Sequence, residues 1–395
     1  MTDTRRAYLS TIGTVVVGGC LGNYAGSTTA NGSSSSSDTG ATGQETTDAT
    51  DSSGVRPTTD DSSDGRGTHE TTIGFAGDAM VGRSLNRIYG DSGVDPATIW
   101  GDFQPRLDAL DGVFCNLECC LSKRGERFPD RVYYFRGNPE WAVPALDAGN
   151  VRFTNLANNH AMDFGAVALT DTIGALDDGG IENAGTGATP SAAWKPATFT
   201  VGDIDVAVVS FSDEYEVYAA TSDRPGIAWA ETDPRNRRTR RLVGNAIERA
   251  KSGDPDLLVV SLHWGENWIE KPTDRLVAFG HWLVDQGADL VHGHSAHVVQ
   301  AVERYGDGVI LHDTGDLVDD FGIKDDLGNH DSYLFELTLD GGSFEKIRLV
   351  PFHIDDGVSP ATEDQAAWLR KTMRDRSDQF DTTYERDGDG LVVRL

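Results

Sequence analysis

The chain has 395 residues, 38% of them hydrophobic, enough to bury one large core or two ordinary ones. Lys and Arg number 34 against 63 Asp and Glu, a formal net charge of −29, which argues against nucleic-acid binding because phosphates would be repelled. So acidic a surface suits high salt, where a Debye length of about 3 Å at molar ionic strength suppresses self-repulsion.

The first elements are targeting signals. Arg5 and Arg6 precede a short apolar stretch ending in Val17-Gly18-Gly19-Cys20. This order is similar to a twin-arginine export signal (1–19) joined to a lipoprotein cleavage box, with Cys20 as the lipidated residue. The apolar run is too short to span a bilayer of about 30 Å. Residues 20–68 are rich in Ser, Thr, Gly and Asp and cannot bury enough apolar surface to offset their ordering entropy, so they read as a tether. These signals place a folded domain over 69–357 outside the cell membrane, lipid-anchored to it, with a C-terminal helix and tail over 358–395.

Within the domain, strands are expected in "TTIGFAGD" and "DGVFCNLE", then a helix in "PEWAVPALDAGN", a strand in "VRFTNLANNH" and a helix near Leu169–Asp178. "DIDVAVVSFSD" is a buried strand, "RRLVGNAIERAKSG" a helix, "DLLVVSLHWG" a strand, and "TDRLVAFGHWLVDQGA" an amphipathic helix with Thr273 as N-cap. "DLVHGH", "GVILHDTGD", "SYLFELTL" and "FEKIRLVPF" complete the strands, and "EDQAAWLRKTMRDR" is a last helix. Cys115, Cys119 and Cys120 do not have zinc-knuckle spacing and read as small, partly buried residues, their disulfide status open. Alternating strands and helices imply largely parallel sheets with helices outside, and polar residues beyond the strand ends then build the site.

Those strand ends supply Asp78, Asn116 and Glu118, then Asn159, His160 and Asp163, then His263 with Glu266, then His294 and His297, and finally His312, Asp313 and Asp316. Carboxylates, an amide oxygen and imidazoles gathered at one sheet edge suit a pair of divalent metals. His292 and His281 read as structural histidines. The run Arg235, Arg237, Arg238, Arg240 and Arg241 reads first as a solvated helix face paired with acids, and second as a dock for an anionic polymer. Trp264 and Trp268 are read equally as cleft walls or core.

"GFAGDAMVGR", "NLE", "NLANNHAMDFG", "VVSLHWGENW", "LVHGHSAHVVQAVERY" and "GDLVDDF" together resemble the motif series of the CapA-type poly-γ-glutamate capsule-synthesis family, from about Ile73 to Ile354. That resemblance implies an α/β fold, a four-layer αββα metallophosphatase-like sandwich with a dimetal site at the strand ends. By position, Asp78 would bind the first metal with His297. Glu118 would bridge, and Asn159, His263 and His294 would hold the second. His160, oriented by Asp163, would be a general acid or anion contact, with Asn116 and Glu266 near substrate. The cofactor would be one or two divalent ions: Mn²⁺, Zn²⁺ or Mg²⁺. Phosphoesterases carry a His where Met80 stands, many CapA-type proteins have a His at Ser295, and the family usually has Asn at Asp316. A thioether is a poor ligand for these metals, which puts phosphoesterase turnover in doubt.

The resemblance implies a role in synthesis, export or anchoring of poly-γ-glutamate or a related surface polymer, beside other capsule-synthesis membrane proteins. ATP-dependent ligation is not expected, since no P-loop is present. Two alternatives stay open: an active metal-dependent hydrolase of phosphoester or γ-glutamyl amide bonds, and a non-catalytic polymer-binding module. The acidic composition resembles that of proteins from salt-loving archaea, an acidic cell-surface protein of another source remaining the alternative.

Overall fold

The computed structural model describes residues 70–395, so the export signal, Cys20 and the tether lie outside the described residues. In chain order the principal elements are β1 (Glu70–Ala79), β2 (Gly112–Leu117), α1 (Pro139–Ala148), β3 (Val151–Asn155), α2 (Gly165–Asp178) and β4 (Glu182–Ala184). Then come β5 (Ala197–Val201), β6 (Ile204–Ser212), α3 (Arg237–Lys251), β7 (Leu257–His263), α4 (Asp274–Asp285) and β8 (Leu290–His294). The last are β9 (Val302–Tyr305), β10 (Gly308–Leu311), β11 (Asp316–Val318), β12 (Asp331–Asp340), β13 (Ser343–Ile354), α5 (Glu363–Arg376) and β14 (Gly390–Arg394).

The helices start where their sequences provide caps. Thr273 accepts from the Leu276 N–H at α4, Asn236 accepts from Arg238 and Thr239 at α3, and Thr362 with Gln365 forms a reciprocal capping box at α5. No helix among the described residues is long and apolar enough to cross a membrane.

Two sheets result. A ten-stranded sheet runs in the order β14-β13-β12-β1-β2-β3-β4 along its main path, with β11 paired to the end of β1. Strands β1 to β4 are mutually parallel, while β12, β13 and β14 add antiparallel. A six-stranded sheet runs β9-β10-β8-β7-β6-β5, parallel in its interior and antiparallel at both edges.

Period-two alternation builds the layers. Ile73 and Phe75 of β1 join Val206 and Val208 of β6 and Leu257 and Val259 of β7 in a core between the sheets. The intervening residues Ala207, Val209, Leu258 and Val260 face the other way and pack under α3 and α4, against Val243, Ile247, Phe279 and Leu283. On the far face of the larger sheet, Ala76, Val113 and Cys115 pack against Trp100 of a 3-10 helix and Trp141 and Leu146 of α1. Helix, sheet, sheet, helix is the expected four-layer αββα sandwich. Each fully buried aliphatic or aromatic side chain in these cores contributes about 1.5–3 kcal/mol of burial.

The chain end corrects one expectation. Residues past α5 are not a polar tail: a short strand (Glu385–Asp387) pairs with β14, and β14 pairs with β13, extending the large sheet. Leu369 and Met373 of α5 enter the core between the sheets. Cys115, Cys119 and Cys120 are buried free thiols.

Candidate metal centre

Because the site-bearing strands are parallel, their C-terminal ends fall on one edge. Asp78 of β1 lies in register with Asn116 of β2 and with Asp316 of β11, and Asn116 with Asn155 of β3. On the second sheet His263 lies beside His294. The sheets are tied just beneath this edge by His292, whose Nε2 donates to the Ala76 carbonyl at 2.9 Å while its Nδ1 meets Ser261 Oγ at 3.2 Å. His292 is thus a satisfied core histidine. Close approach here requires glycine: a Cβ on Gly77 would sit 1.7 Å from the Gly315 carbonyl oxygen.

Asp78 is the centre. Its Oδ1 is 3.8 Å from His263 Nδ1 and 3.6 Å from His294 Nδ1, and its Oδ2 is 3.3 Å from His297 Nδ1. Asn116 Nδ2 donates to Asp78 Oδ1 at 2.7 Å, while Asn155 and Asn158 donate to Asn116 Oδ1. Asn116 therefore fixes the carboxylate; it is completely buried and holds no position open to substrate. Glu118 Oε1 stands 3.9–4.0 Å from Nε2 of His160, His263 and His297. Two ligand groups emerge, Asp78–His263–His294 and Asp78–Glu118–His297, sharing Asp78. The family pattern places the bridge at Glu118; here both carboxylates stand between histidines.

The donor set fits divalent cations on the structure's own terms. Both oxygens of Glu118, His263 Nε2 and Asn159 Oδ1 are buried without a hydrogen-bond partner. Buried polar atoms left this way are costly unless they are hydrogen-bonded or bound to metal. Burial drives the His263 imidazole down to about 3 and His294 well below 6.5, so both are neutral and offer lone pairs. Burial pushes Glu118 well up. Burial also disfavours charge on Asp78, but the His297 hydrogen bond and the histidine charges win and hold it far below the usual carboxylate range. His297 is raised well above 6.5 because Asp316 and Glu118 outweigh its burial. In effect His297 carries the positive charge that this carboxylate-rich pocket demands.

His297 is aimed by strained backbone. Ser295 has φ 121° and His297 φ 56°, and neither is glycine. Arg83 (φ 46°) and Trp268 (φ 69°), which line the cleft above the site, also have positive φ. Met80, by contrast, points away: it is completely buried in the core beneath the helices, not in the site.

His160 stands beside the centre. Its Nδ1 lies 2.6 Å from Asp163 Oδ2, its ring stacks on Phe135 at 3.8 Å between centroids, and its Nε2 faces Glu118. A cleft of about 340 Å³ opens above, lined by Arg83, Tyr133, Phe135, Trp268, Phe321 and Lys324, with His160 and His297 at its base. Trp268 walls this cleft, whereas Trp264 is core, donating its indole N–H to the His312 carbonyl at 2.8 Å. Glu266 is exposed and does not line the cleft; its neighbours Asn267 and Trp268 do.

Three contributors escaped the sequence reading. Glu214, just past β6, has its Oε2 4.0 Å from His263 Nε2 and is raised to about 7 by burial and by Asp213. The strand-end rule that found the others points to it as well. Arg131 donates to the Asn159 carbonyl at 2.6 Å and lies 3.4 Å from Asp163 Oδ1. Asp319, raised by burial and by Asp316, is a further buried carboxyl. Arg131 lies in a long loop with no motif to mark it.

An αββα sandwich with carboxylates and histidines converging at its strand ends defines a metallophosphatase-like fold that carries a candidate metal centre. Residues 72–321 match the model of the bacterial capsule synthesis protein PGA_cap family, and the chain belongs to that family. It is 32% identical over 366 residues to a probable polyglutamine synthesis accessory protein of Mycobacterium tuberculosis (strain CDC 1551 / Oshkosh), covering 81% of this chain and 95% of that one. It is 28% identical to the capsule biosynthesis protein CapA of Bacillus anthracis, covering 84% and 79% of the two chains. With the PGA biosynthesis protein CapA of Bacillus subtilis (strain 168) it shares 28% identity, covering 76% and 75%.

Proposed function

We propose that this protein acts in the synthesis, export or anchoring of a polyglutamate-type surface polymer, binding one or two divalent ions among Asp78, Glu118, Asn159, His263, His294 and His297. Its relatives' names supply the polymer. The observation that carries the chemistry is the convergence of these ligands beneath a cleft with cationic walls. In a chain of net charge −29, Arg83 and Lys324 at that cleft are suited to the carboxylates of an anionic polymer.

A hydrolytic reading is favoured over a purely binding one by the His160–Asp163 pair. Bound metal would acidify a water and polarise the carbonyl or phosphoryl oxygen of the bond to be cleaved. Asp163 accepts the His160 Nδ1–H hydrogen bond and so fixes the tautomer whose unprotonated Nε2 would take a proton from the attacking water and pass it to a leaving amine or alkoxide. Phe135 and Trp268 exclude water beside it. The bond cleaved would be a γ-glutamyl amide or a phosphoester. The arginine run gives less support to docking: Arg235 pairs with Asp233 and Arg238 with Glu216, as a solvated face would.

The location rests on sequence alone: a twin-arginine signal and lipidation at Cys20 would hold the domain outside the membrane, with other capsule-synthesis membrane proteins as partners, in a salt-loving cell. Deleting the gene should change the amount or length of surface polymer; unchanged polymer overturns the proposal. Cys20→Ser should release the protein into the medium.

A further inference from the structure

A second set of metal-ligating side chains lies away from the Asp78 centre, where the β12–β13 hairpin opens. Asp331, the first residue of β12, is paired in register with His353 of β13, so their side chains stand together on one face of the sheet. His353 Nδ1 is 2.7 Å from Asp331 Oδ1. His330 directly precedes β12, its carbonyl accepting from the Ile354 N–H at 2.7 Å, and its ring meets that of His353 edge-on at 5.1 Å. One ligand atom from each of His330, Asp331 and His353 lies within 4.8 Å of the others.

Hydrogen bonding alone does not satisfy this cluster. His330 Nδ1 is buried with no partner. His353 Nδ1 faces two groups, Asp331 Oδ1 at 2.7 Å and Gln365 Nε2 at 2.8 Å. The Gln365 amide cannot be turned over, because its Oε1 accepts from the Thr362 N–H at 2.8 Å in the α5 capping box. A ring nitrogen is a donor or an acceptor, not both. Donating to Asp331, it meets the Gln365 donor; accepting from Gln365, it turns its lone pair on a carboxylate. A cation bound by that lone pair, in place of the Gln365 contact, and by the carboxylate removes the repulsion.

We infer that His330, Asp331 and His353 form a second metal site, separate from the Asp78 centre, for one borderline divalent ion of the zinc type. Two imidazoles and one carboxylate suit zinc, which commonly takes three protein ligands and leaves a position for water. The site is accessible, with 25% of the His353 side chain and 10% of the Asp331 side chain exposed. Its place suggests its use. The segment from Asp319 to Asn329 supplies Phe321, Gly322, Ile323 and Lys324 to the cleft and then runs into His330. An ion here fastens the end of that segment to both strands of the hairpin, independently of what the cleft processes.

The test uses the full chain loaded with ZnCl₂. Anomalous diffraction at the zinc edge should give a peak among His330, Asp331 and His353, resolved from any ion at Asp78. Elemental analysis after desalting should show one equivalent less zinc in H330A/H353A, and D331N, nearly isosteric, should weaken zinc binding at this site at least tenfold. No anomalous peak there at saturating zinc, or unchanged stoichiometry in the folded double variant, overturns the inference. If H330A/H353A does not fold, the wild-type map and D331N decide.

Discussion

His297 donates from Nδ1 to Asp316 Oδ1 at 2.9 Å. That carboxylate, with Glu118, holds a proton on the imidazole to well above pH 6.5. A group whose folded pKa is raised contributes stability that is complete below its unfolded value and lost as pH rises through the folded one. The raised Glu118 carboxyl has the same sign. Asp78, depressed, has the opposite sign, but only below the usual carboxylate range. Metal-stripped protein is therefore predicted to lose Tm as pH rises above the ordinary histidine value of about 6.5, where the buried neutral histidines no longer oppose the change, and Mn²⁺ or Zn²⁺ affinity to rise with pH as the His297 proton is displaced. Calorimetry across that range checks both. Asp316→Asn should flatten the dependence.

Asp163 accepts from His160 and from the Phe135 N–H at 2.7 Å. Asp163→Asn keeps the volume but lets His160 take the wrong tautomer. Turnover of a γ-glutamyl amide or phosphoester substrate is predicted to drop about 10²–10³-fold with metal stoichiometry unchanged. Equal loss of metal would show that Asp163 acts only on the fold.

Met80 should matter to packing alone. Met80→Leu is predicted to cost less than about 1.5 kcal/mol and Met80→Ala about 2–4 kcal/mol by denaturant unfolding, neither changing bound metal. A lower metal count in Met80→Leu would put the thioether in the site after all.

Gly77 has no room for a methyl group against the Gly315 carbonyl, which is backbone and cannot swing aside. Gly77→Ala is predicted to destabilise by about 3 kcal/mol or more and to lower metal occupancy, because the β1 and β11 ends would separate. Urea titration with metal analysis measures the two together.

Lys324 lies 4.7 Å over the Trp268 ring, and Arg83 pairs with Asp320 at 3.4 Å, both at the cleft. Removing each charge is predicted to weaken polyglutamate binding about threefold to fivefold and to reduce its salt dependence. Removing Arg237 and Arg240 should change neither.

Most of the site was legible because its residues follow the strand-end rule, and a hydrophobic run that stops at a polar residue is visible in one dimension. Glu214 obeys the same rule but lies outside any motif of the resemblance. Arg131 reaches Asn159 and Asp163 from a loop, and no local pattern marks such a contact. The final strand β14 was hidden because "GLVVR" is too short for its periodicity to outweigh the polar residues around it.

By itself the sequence determined the element order, the parallel strands and the set of chemistry-bearing residues, because periodicity and turn chemistry are local. Which of them meet depends on how the two sheets face each other. Only the tertiary structure decided that Asp78 from one sheet serves His263 and His294 from the other, and that Met80 turns into the core. It also decided that His292 spans to Ala76, and that His330, Asp331 and His353 gather at one hairpin mouth. Such pairings are set by strand register and sheet packing, which join residues far apart in the chain.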